Sequence, residues 1–167
     1  MSEDSLAIRQ EMPEDQSEIQ KLHARVFGPG RFTRTAYRVR ETGAFDQQLS
    51  WVAFAGKELA GAVRLTPIRI GGRDRALLLG PLIVAPQFAG KGYGRRLIAA
   101  SLEAARAEGF ALVLLVGDLA YYEAFGFGPV PPGQIMMPGP VDPARLLAAE
   151  LMPGTLERYS GLMRAER

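Results

Sequence analysis

Hydrophobic residues change their spacing most sharply between residues 76 and 116, where two apolar runs flank a helical pattern. The first run, Leu77 to Val84, stops before Pro86, and a glycine-rich loop follows it. Apolar or small residues then recur at the i, i+3, i+4 and i+7 spacing of one helix face, namely at Gly94, Leu97, Ile98, Ser101, Leu102 and Ala105. The second run, residues 111–116, is typical of a strand buried on both faces. The pattern therefore predicts a strand–helix–strand crossover that joins two parallel strands.

The beginning of the chain predicts a short strand and two helices. Leu6 to Arg9 has the strand pattern, and Pro13 opens a helix at a position where proline is tolerated. The buried face of that helix consists of Ile19, Leu22, His23, Val26 and Phe27. A lone histidine in such a stripe is expected to be a packed core residue rather than a catalytic one. An arginine-rich segment, at about residues 33–41, predicts a second helix.

Two further strands are predicted at residues 49–55 and 58–70. Tight turns connect them to each other and to the strand that begins near residue 76, so the three strands form an antiparallel meander. The part of the chain after Phe127 is less regular, because its prolines limit any strand to short edge pieces. Residues 142–151 have the caps and composition of a helix, with an aspartate N-cap and a proline in the first position, but an extended conformation stays open for this segment.

This order of elements predicts an α+β fold, a mixed α/β sandwich with flanking helices. Its central mixed sheet has about six to seven strands, antiparallel in the first half and parallel after the crossover. A chain of 167 residues is long enough for one domain, which we assign to residues 1–167, with a core motif at 76–127 and an extension at 131–167. A doubly wound dinucleotide fold would alternate strands and helices from the start, so the meander argues against it.

Composition narrows the functional classes. The chain has no cysteine and one histidine, which excludes a disulfide framework and predicts that no metal is bound. A net charge of +2, an acidic N-terminus without a signal-peptide pattern, and no apolar run of about 20 residues lead us to expect a cytoplasmic protein without a membrane partner. Residues 21–40 hold six basic side chains and no acid, but no nucleic-acid recognition motif accompanies them.

The loop that opens the predicted helix has glycine at three alternate positions, Gly90, Gly92 and Gly94. Glycine allows successive main-chain N–H groups to converge on an anion at the positive end of a helix, and Lys91 and Arg95 add charge beside it. This pattern predicts a phosphate or pyrophosphate site, although a tight strand-to-helix turn could use the same glycines. The loop lacks the hydroxyl residue of a P-loop and the third glycine of a dinucleotide fingerprint.

Two motifs resemble the GNAT superfamily of N-acetyltransferases. Gln87-x-x-Gly90-x-Gly92, between a strand and a helix, is similar to the acyl-CoA pyrophosphate motif of that superfamily. The segment GDLAYYEAFGF, residues 117–127, is similar to its next motif and to a bacterial subgroup of predicted acetyltransferases, because Tyr122 precedes the Gly-Phe pair by four residues. The resemblance implies the GNAT fold, in which the two parallel strands splay apart at the acyl-CoA site, and acetyl-CoA as co-substrate.

The resemblance also implies roles for particular residues. The cofactor-binding residues would be Leu82, Ile83, Val84, Gln87, Gly90, Lys91, Gly92, Tyr93, Gly94 and Arg95. Tyr122 would be the acid that serves the leaving thiolate, with Tyr121 as its competitor. A main-chain N–H near Val84, at a strand bulge, would polarise the thioester carbonyl. Arg31, Phe32 and Tyr37 would lie on the acceptor side.

The implied function is transfer of an acetyl group to a primary amine of a small molecule or peptide in a ternary complex. The alternative is a CoA-binding sensor or scaffold without turnover, and a nucleotide-dependent enzyme is the third reading. The spacing selects no general base among Glu58, Asp74, Asp118 and Glu123, so none is assigned. The prediction leaves room for a homodimer and includes no nucleic-acid partner.

Overall fold

The computed structural model describes residues 6–27 and 49–166. The first elements are β1 (Leu6–Gln10), a 3-10 turn at Pro13–Asp15, and α1 (Gln16–Phe27). They are followed by β2 (Trp51–Ala55), β3 (Glu58–Ile70), β4 (Arg73–Val84), α2 (Tyr93–Ala107), β5 (Leu112–Val116) and the short α3 (Leu119–Tyr122). The C-terminal part contains β6 (Gly128–Pro129), β7 (Ile135–Met136), β8 (Leu146–Glu150) and β9 (Gly161–Ala165). The helix predicted at about residues 33–41 lies outside the described residues.

The strands form the predicted mixed sheet. β1 to β4 are an antiparallel meander, and β4 and β5 are parallel, with Ala76 opposite Leu112 and Leu78 opposite Leu114. β8 is antiparallel to β5, and β6 is antiparallel to β8. Within residues 6–27 and 49–166, the row β1-β2-β3-β4-β5-β8-β6 thus has seven strands. β9 pairs with the end of β3, and β7 pairs with β9.

Of the two conformations left open for residues 142–151, the structure has the extended one, because this segment forms a short turn and then β8. Asp142 does cap a turn, since its carboxylate accepts a hydrogen bond from the Ala144 N–H at 3.0 Å, but the turn ends at Arg145. Leu146–Ala149 then pairs along the open edge of β5 and is buried on both faces of the sheet. An apolar segment that completes a sheet edge gains ladder hydrogen bonds and burial on two sides, which outweigh its helix propensity.

Helices and the C-terminal segment cover the two faces of the sheet. One face, here called the α2 face, packs against α2 and α3 through a core that includes Leu65, Leu77 and Val113. The opposite face, here called the α1 face, is covered by α1 in its first half and by residues 130–163 in its second half. His23 of α1 is 1% exposed, which confirms the expectation of a packed histidine.

A buried ion pair lies on the α1 face between its two apolar halves. Ala62 belongs to the cluster under α1 and Ile68 to the C-terminal cluster, and the alternation of β3 puts Arg64 on the same face between them. The Arg64 Nε and Nη2 atoms donate to the two Glu11 carboxylate oxygens at 2.8 and 2.6 Å. Both residues are 3% exposed. Sequence patterning missed this pair, although Arg64 is the one charged residue between Leu59 and Thr66.

The Gly71–Gly72 turn between β3 and β4 provides a test of the packing of β9. Gly71 and Gly72 both have positive φ, at 56° and 85°, but only the Gly71 site is crowded, because a Cβ there would lie 2.0 Å from the Ser160 carbonyl oxygen. A Cβ on Gly72 would meet nothing within 4 Å. We therefore expect Gly71→Ala to lower the free energy of unfolding by about 1–3 kcal/mol more than Gly72→Ala does. Urea denaturation of both variants measures the difference, and equal losses would contradict the described contact.

Candidate active site

A gap opens between β4 and β5 at their carboxyl ends. Their pairing ends at Leu78 and Leu114, whereas β4 continues to Val84. Of the residues that the sequence assigned to the cofactor here, Leu82 and Val84 are half-buried beside the core of the α2 face. Ile83 instead points to the α1 face, where its side chain is 2% exposed in the cluster under α1. Only the main chain of Ile83 is therefore available to a ligand in the gap.

The bulge in β4 is displaced from the predicted position. Val63 of β3 pairs with Leu82 and Leu65 pairs with Leu79, so Gly80 and Pro81 together oppose a single β3 residue. The prediction of a bulge near Val84 is wrong, because Val84 pairs regularly with Gly61. Pro81 has no N–H to contribute to the ladder, which explains why the register slips here. In the apolar run from Leu77 to Val84, the glycine–proline pair is the one feature of the sequence that could have indicated this shift in register.

The glycine-rich loop has the conformation that its composition predicts. Gly90 and Gly92 have φ of 78° and 81°, in the left-handed region, and a Cβ on either residue would meet nothing within 4 Å. Gly92 is the N-cap of α2, so the free N–H groups of the first turn of the helix begin at Tyr93. A helix N-terminus that follows glycines and carries open main chain is suited to a phosphate group. Tyr93 itself is 7% exposed and packs in the core of the α2 face.

Gly94 serves close packing rather than a special backbone conformation. A Cβ on Gly94 would lie 2.8 Å from the Tyr121 hydroxyl oxygen and 3.5 Å from Cγ2 of Val84. The first turn of α2, the end of β4 and α3 therefore meet at this glycine. Tyr121 lies among residues that the sequence assigned to the cofactor, and the spacing of the motif did not indicate this.

Cations and aromatic rings surround the same turn. The Arg95 guanidinium lies over the Tyr121 ring, 5.7 Å from its centroid, and 6.0 Å from the centroid of Phe125. The Lys91 ammonium is 5.8 Å from the centroid of the Phe88 ring. Both cations are exposed and stand at the positive end of α2. They add to the helix dipole in favouring an anion.

Gln87 directs its side chain away from the glycines. Its Oε1 accepts a hydrogen bond from Arg25 Nη2 at 2.7 Å, and its Nε2 donates to Glu58 Oε2 at 2.7 Å. A ligand at the loop would therefore meet the main chain of Gln87, as the predicted role of the main-chain amides requires. The residues that hold its side chain are far apart in sequence, and motif spacing could not have identified them.

Tyr122 lies at the carboxyl end of β5. Its ring covers Gly117, where a Cβ would be 2.6 Å from Tyr122 Cε2, and it makes edge contacts with the rings of Tyr121 and Phe127. Burial, with a smaller contribution from Tyr121 and Asp118, raises the pKa of Tyr122 to about 12. The phenol therefore remains protonated at neutral pH and can only donate a hydrogen bond to an anion.

The four carboxylates considered as general bases differ in position. Asp74 stands at the start of β4, about 30 Å along the strand from its carboxyl end, which removes it from the gap. Glu58 is engaged by Gln87, and Asp118 is exposed, with its Oδ1 3.7 Å from Arg145 Nη2. Glu123 is exposed on the turn after α3.

The implied acceptor-side residues Arg31, Phe32 and Tyr37 lie outside the described residues. Across residues 6–27 and 49–166, no three histidine, aspartate or glutamate side chains are grouped so that they could hold a metal ion. No described helix is both long and apolar enough to span a bilayer.

The splayed parallel pair, together with the glycine turn at the start of α2, defines an acyl-CoA-dependent acyltransferase. The chain belongs to the acetyltransferase (GNAT) family, whose family model matches residues 17–127. This confirms the resemblance to the GNAT superfamily, and the strand order of the described residues confirms the predicted mixed α/β fold.

The chain is similar in sequence and in structure to proteins described as acetyltransferases. The chain is 30% identical over 123 residues to the uncharacterized N-acetyltransferase YhbS of Escherichia coli, with 73% of each chain covered. A crystal structure of the Escherichia coli YhbS in complex with CoA superposes with a TM-score of 0.83 at 26% identity, over 96% of this chain and 89% of that one. A GNAT family acetyltransferase from Brucella melitensis in complex with acetyl-CoA gives a TM-score of 0.62 at 28% identity, over 87% and 96%.

Proposed function

We propose that this protein transfers the acetyl group of acetyl-CoA to a primary amine of a small molecule or peptide, by direct attack while both substrates are bound. The observation that carries the proposal is the open glycine turn, Gly90 to Gly92, at the start of α2 and beside the gap between β4 and β5. The CoA and acetyl-CoA complexes of two structural relatives support it.

The diphosphate of the co-substrate is assigned to the main-chain N–H groups between Gln87 and Arg95. These groups stand at the positive end of a helix, and the exposed Lys91 and Arg95 side chains neutralise part of the ligand's charge. The pantetheine arm then lies along Leu82 and Val84, whose half-buried side chains offer apolar contact. This arrangement holds the thioester at the carboxyl end of the two strands, where Tyr122 also lies.

The chemical step forms one bond and breaks one. The amine nitrogen attacks the thioester carbonyl carbon, the C–N bond forms, and the C–S bond breaks with its electron pair on sulfur, while the proton that the amine gives up passes to water. Tyr122 is assigned as the hydrogen-bond donor to the departing thiolate. Its pKa of about 12 suits this role, because a free thiol titrates at about 8.5 and full proton transfer from Tyr122 would be unfavourable. Stabilisation of the developing charge is thus its contribution.

Two measurements on the wild-type protein test the function. Titration calorimetry is expected to show saturable binding of acetyl-CoA, with weaker or no binding of NAD and ATP. Release of free thiol from acetyl-CoA, followed across a library of small amines and peptides, is expected to rise above the rate without acceptor for at least one amine. Binding without thiol release for any acceptor would favour the CoA-binding module, and no binding of acetyl-CoA would overturn the proposal.

A further inference from the structure

We propose that Arg25 and Glu58 are positioning residues, which fix the glycine-rich loop for the co-substrate by holding the side chain of Gln87. The inference rests on the proposed function, because it assigns these two residues to the same diphosphate site. Neither residue is expected to touch acetyl-CoA, and both act through the amide of Gln87.

The three side chains form one chain of hydrogen bonds across three separate elements. Arg25 belongs to the last turn of α1, Glu58 is the first residue of β3, and Gln87 belongs to the turn that precedes the glycines. The amide of Gln87 uses both of its ends, since its oxygen accepts from Arg25 and its nitrogen donates to Glu58, each at 2.7 Å. Each bond has one ionised partner, so both are charge-assisted. The charges also fix the orientation of the amide, because only its oxygen can face the guanidinium.

The three hydrogen-bonded side chains cross a groove of about 340 Å³. They line its walls together with Glu18 and Lys21. Apolar packing therefore does not fill the space between α1 and the loop at this point. Gly90 and Gly92 have positive φ and open space around them, and glycine has no side chain that could anchor the loop. The half-buried Phe88 packs against the core, and the Gln87 amide ties the start of the loop to α1 and β3, while the first turn of α2 holds its other end.

Exposed hydrogen bonds of this kind contribute little to the stability of the fold, so we expect their main effect on the binding of acetyl-CoA. Exposed ion pairs and polar contacts typically add little to the stability of a protein, because water solvates their groups equally well. The main-chain N–H groups that bind a diphosphate have to be positioned more precisely than folding alone requires, because a ligand site has to be held within about 0.5 Å of its productive geometry. Loss of the anchor should therefore appear in the affinity for acetyl-CoA and leave the stability of the fold nearly unchanged.

Titration calorimetry with acetyl-CoA tests the inference on the full chain. Gln87→Ala and Glu58→Ala are each expected to weaken binding about three- to tenfold. The double variant should bind no more weakly than Gln87→Ala alone, because Glu58 acts only through Gln87. Glu58→Gln keeps an acceptor oxygen and should bind within about twofold of wild type. Urea denaturation midpoints should match the wild type in all four proteins.

Two matched variants control for long-range charge. Lys21→Ala and Glu18→Ala each remove a charge from the same groove but leave the hydrogen bonds of Gln87 intact. Both variants should bind acetyl-CoA within about twofold of wild type. Independent, multiplying losses in the double variant would overturn the inference. The same conclusion follows if the single variants bind as wild type does, or if Glu58→Gln loses as much as Glu58→Ala. Failure of the wild type to bind acetyl-CoA would instead overturn the proposed function, so the two failures are distinguishable.

Discussion

Replacement of Tyr122 by phenylalanine is expected to lower the turnover number of acetyl transfer about a hundredfold, with the affinity for acetyl-CoA changed less than about threefold. The variant keeps the ring that covers Gly117 and loses only the hydroxyl. Charge develops on the sulfur during the reaction and is absent from the bound thioester, so the lost hydrogen bond affects the transition state more than binding. Initial rates of thiol release at saturating amine and acetyl-CoA, together with calorimetric binding, measure both quantities.

Tyr121→Phe is the matched control, because it removes the neighbouring hydroxyl and keeps its ring. The Arg95 guanidinium lies 5.7 Å from the centroid of the Tyr121 ring. The Tyr121 hydroxyl lies against Gly94 in the first turn of α2, so it contributes to the walls of the proposed cofactor gap. We expect Tyr121→Phe to change acetyl-CoA affinity modestly and to retain at least about a third of the turnover number. If Tyr121→Phe loses turnover and Tyr122→Phe keeps it, the assignment of the two tyrosines has to be exchanged.

The parts of the fold that could be predicted are those that local sequence determines. The crossover from β4 to β5 is predictable because two continuous apolar runs flank a helical period that begins at the glycine loop. The meander followed from tight turns, which leave antiparallel neighbours as the only arrangement. The left-handed conformations of Gly90 and Gly92 likewise belong to a short segment whose composition demands them.

The errors and omissions concern residues that are distant in sequence. β8 forms because β5 has an open edge, and Leu146–Ala149 carries no local sign of that edge. The bulge at Gly80–Pro81 depends on which β3 residue faces it, and an apolar run does not specify that register. The Gln87 chain joins residues 25, 58 and 87, a contact that exists only after α1, β3 and the loop have assembled.

The two adjacent tyrosines illustrate the same limit within a single motif. Side chains of consecutive helical residues point about 100° apart, so the spacing to the Gly-Phe pair selects a residue but does not determine how α3 is rotated. The rotation is set by Gly117, which receives the ring of Tyr122, and by Gly94, which faces the hydroxyl of Tyr121. Both glycines were visible in the sequence, but their partners were not. The catalytic assignment of Tyr122 therefore stays a prediction that the pair of phenylalanine variants has to test.

Replacement of Glu11 by alanine is expected to lower the free energy of unfolding by about 3–5 kcal/mol, the largest loss that we expect for stability. Glu11 and Arg64 are both 3% exposed, and removal of the carboxylate leaves a guanidinium without its bidentate partner inside the protein. A buried charge pays the full desolvation cost when its partner is lost, whereas an exposed one is solvated by water. Urea denaturation followed by circular dichroism measures the loss.

Two further variants separate the burial of the charge from the loss of a carboxylate as such. Asp118→Ala breaks the exposed pair with Arg145, whose side chains are 78% and 46% accessible, and should cost less than about 1 kcal/mol. Glu11→Leu combined with Arg64→Met removes both charges from the α1 face and should recover at least half of the loss caused by Glu11→Ala, because neither charge of the ion pair then remains buried. A double variant as unstable as Glu11→Ala would show that the stability depends on contacts of the pair other than their mutual attraction. The pair would then hold the two apolar halves of the α1 face together through its packing.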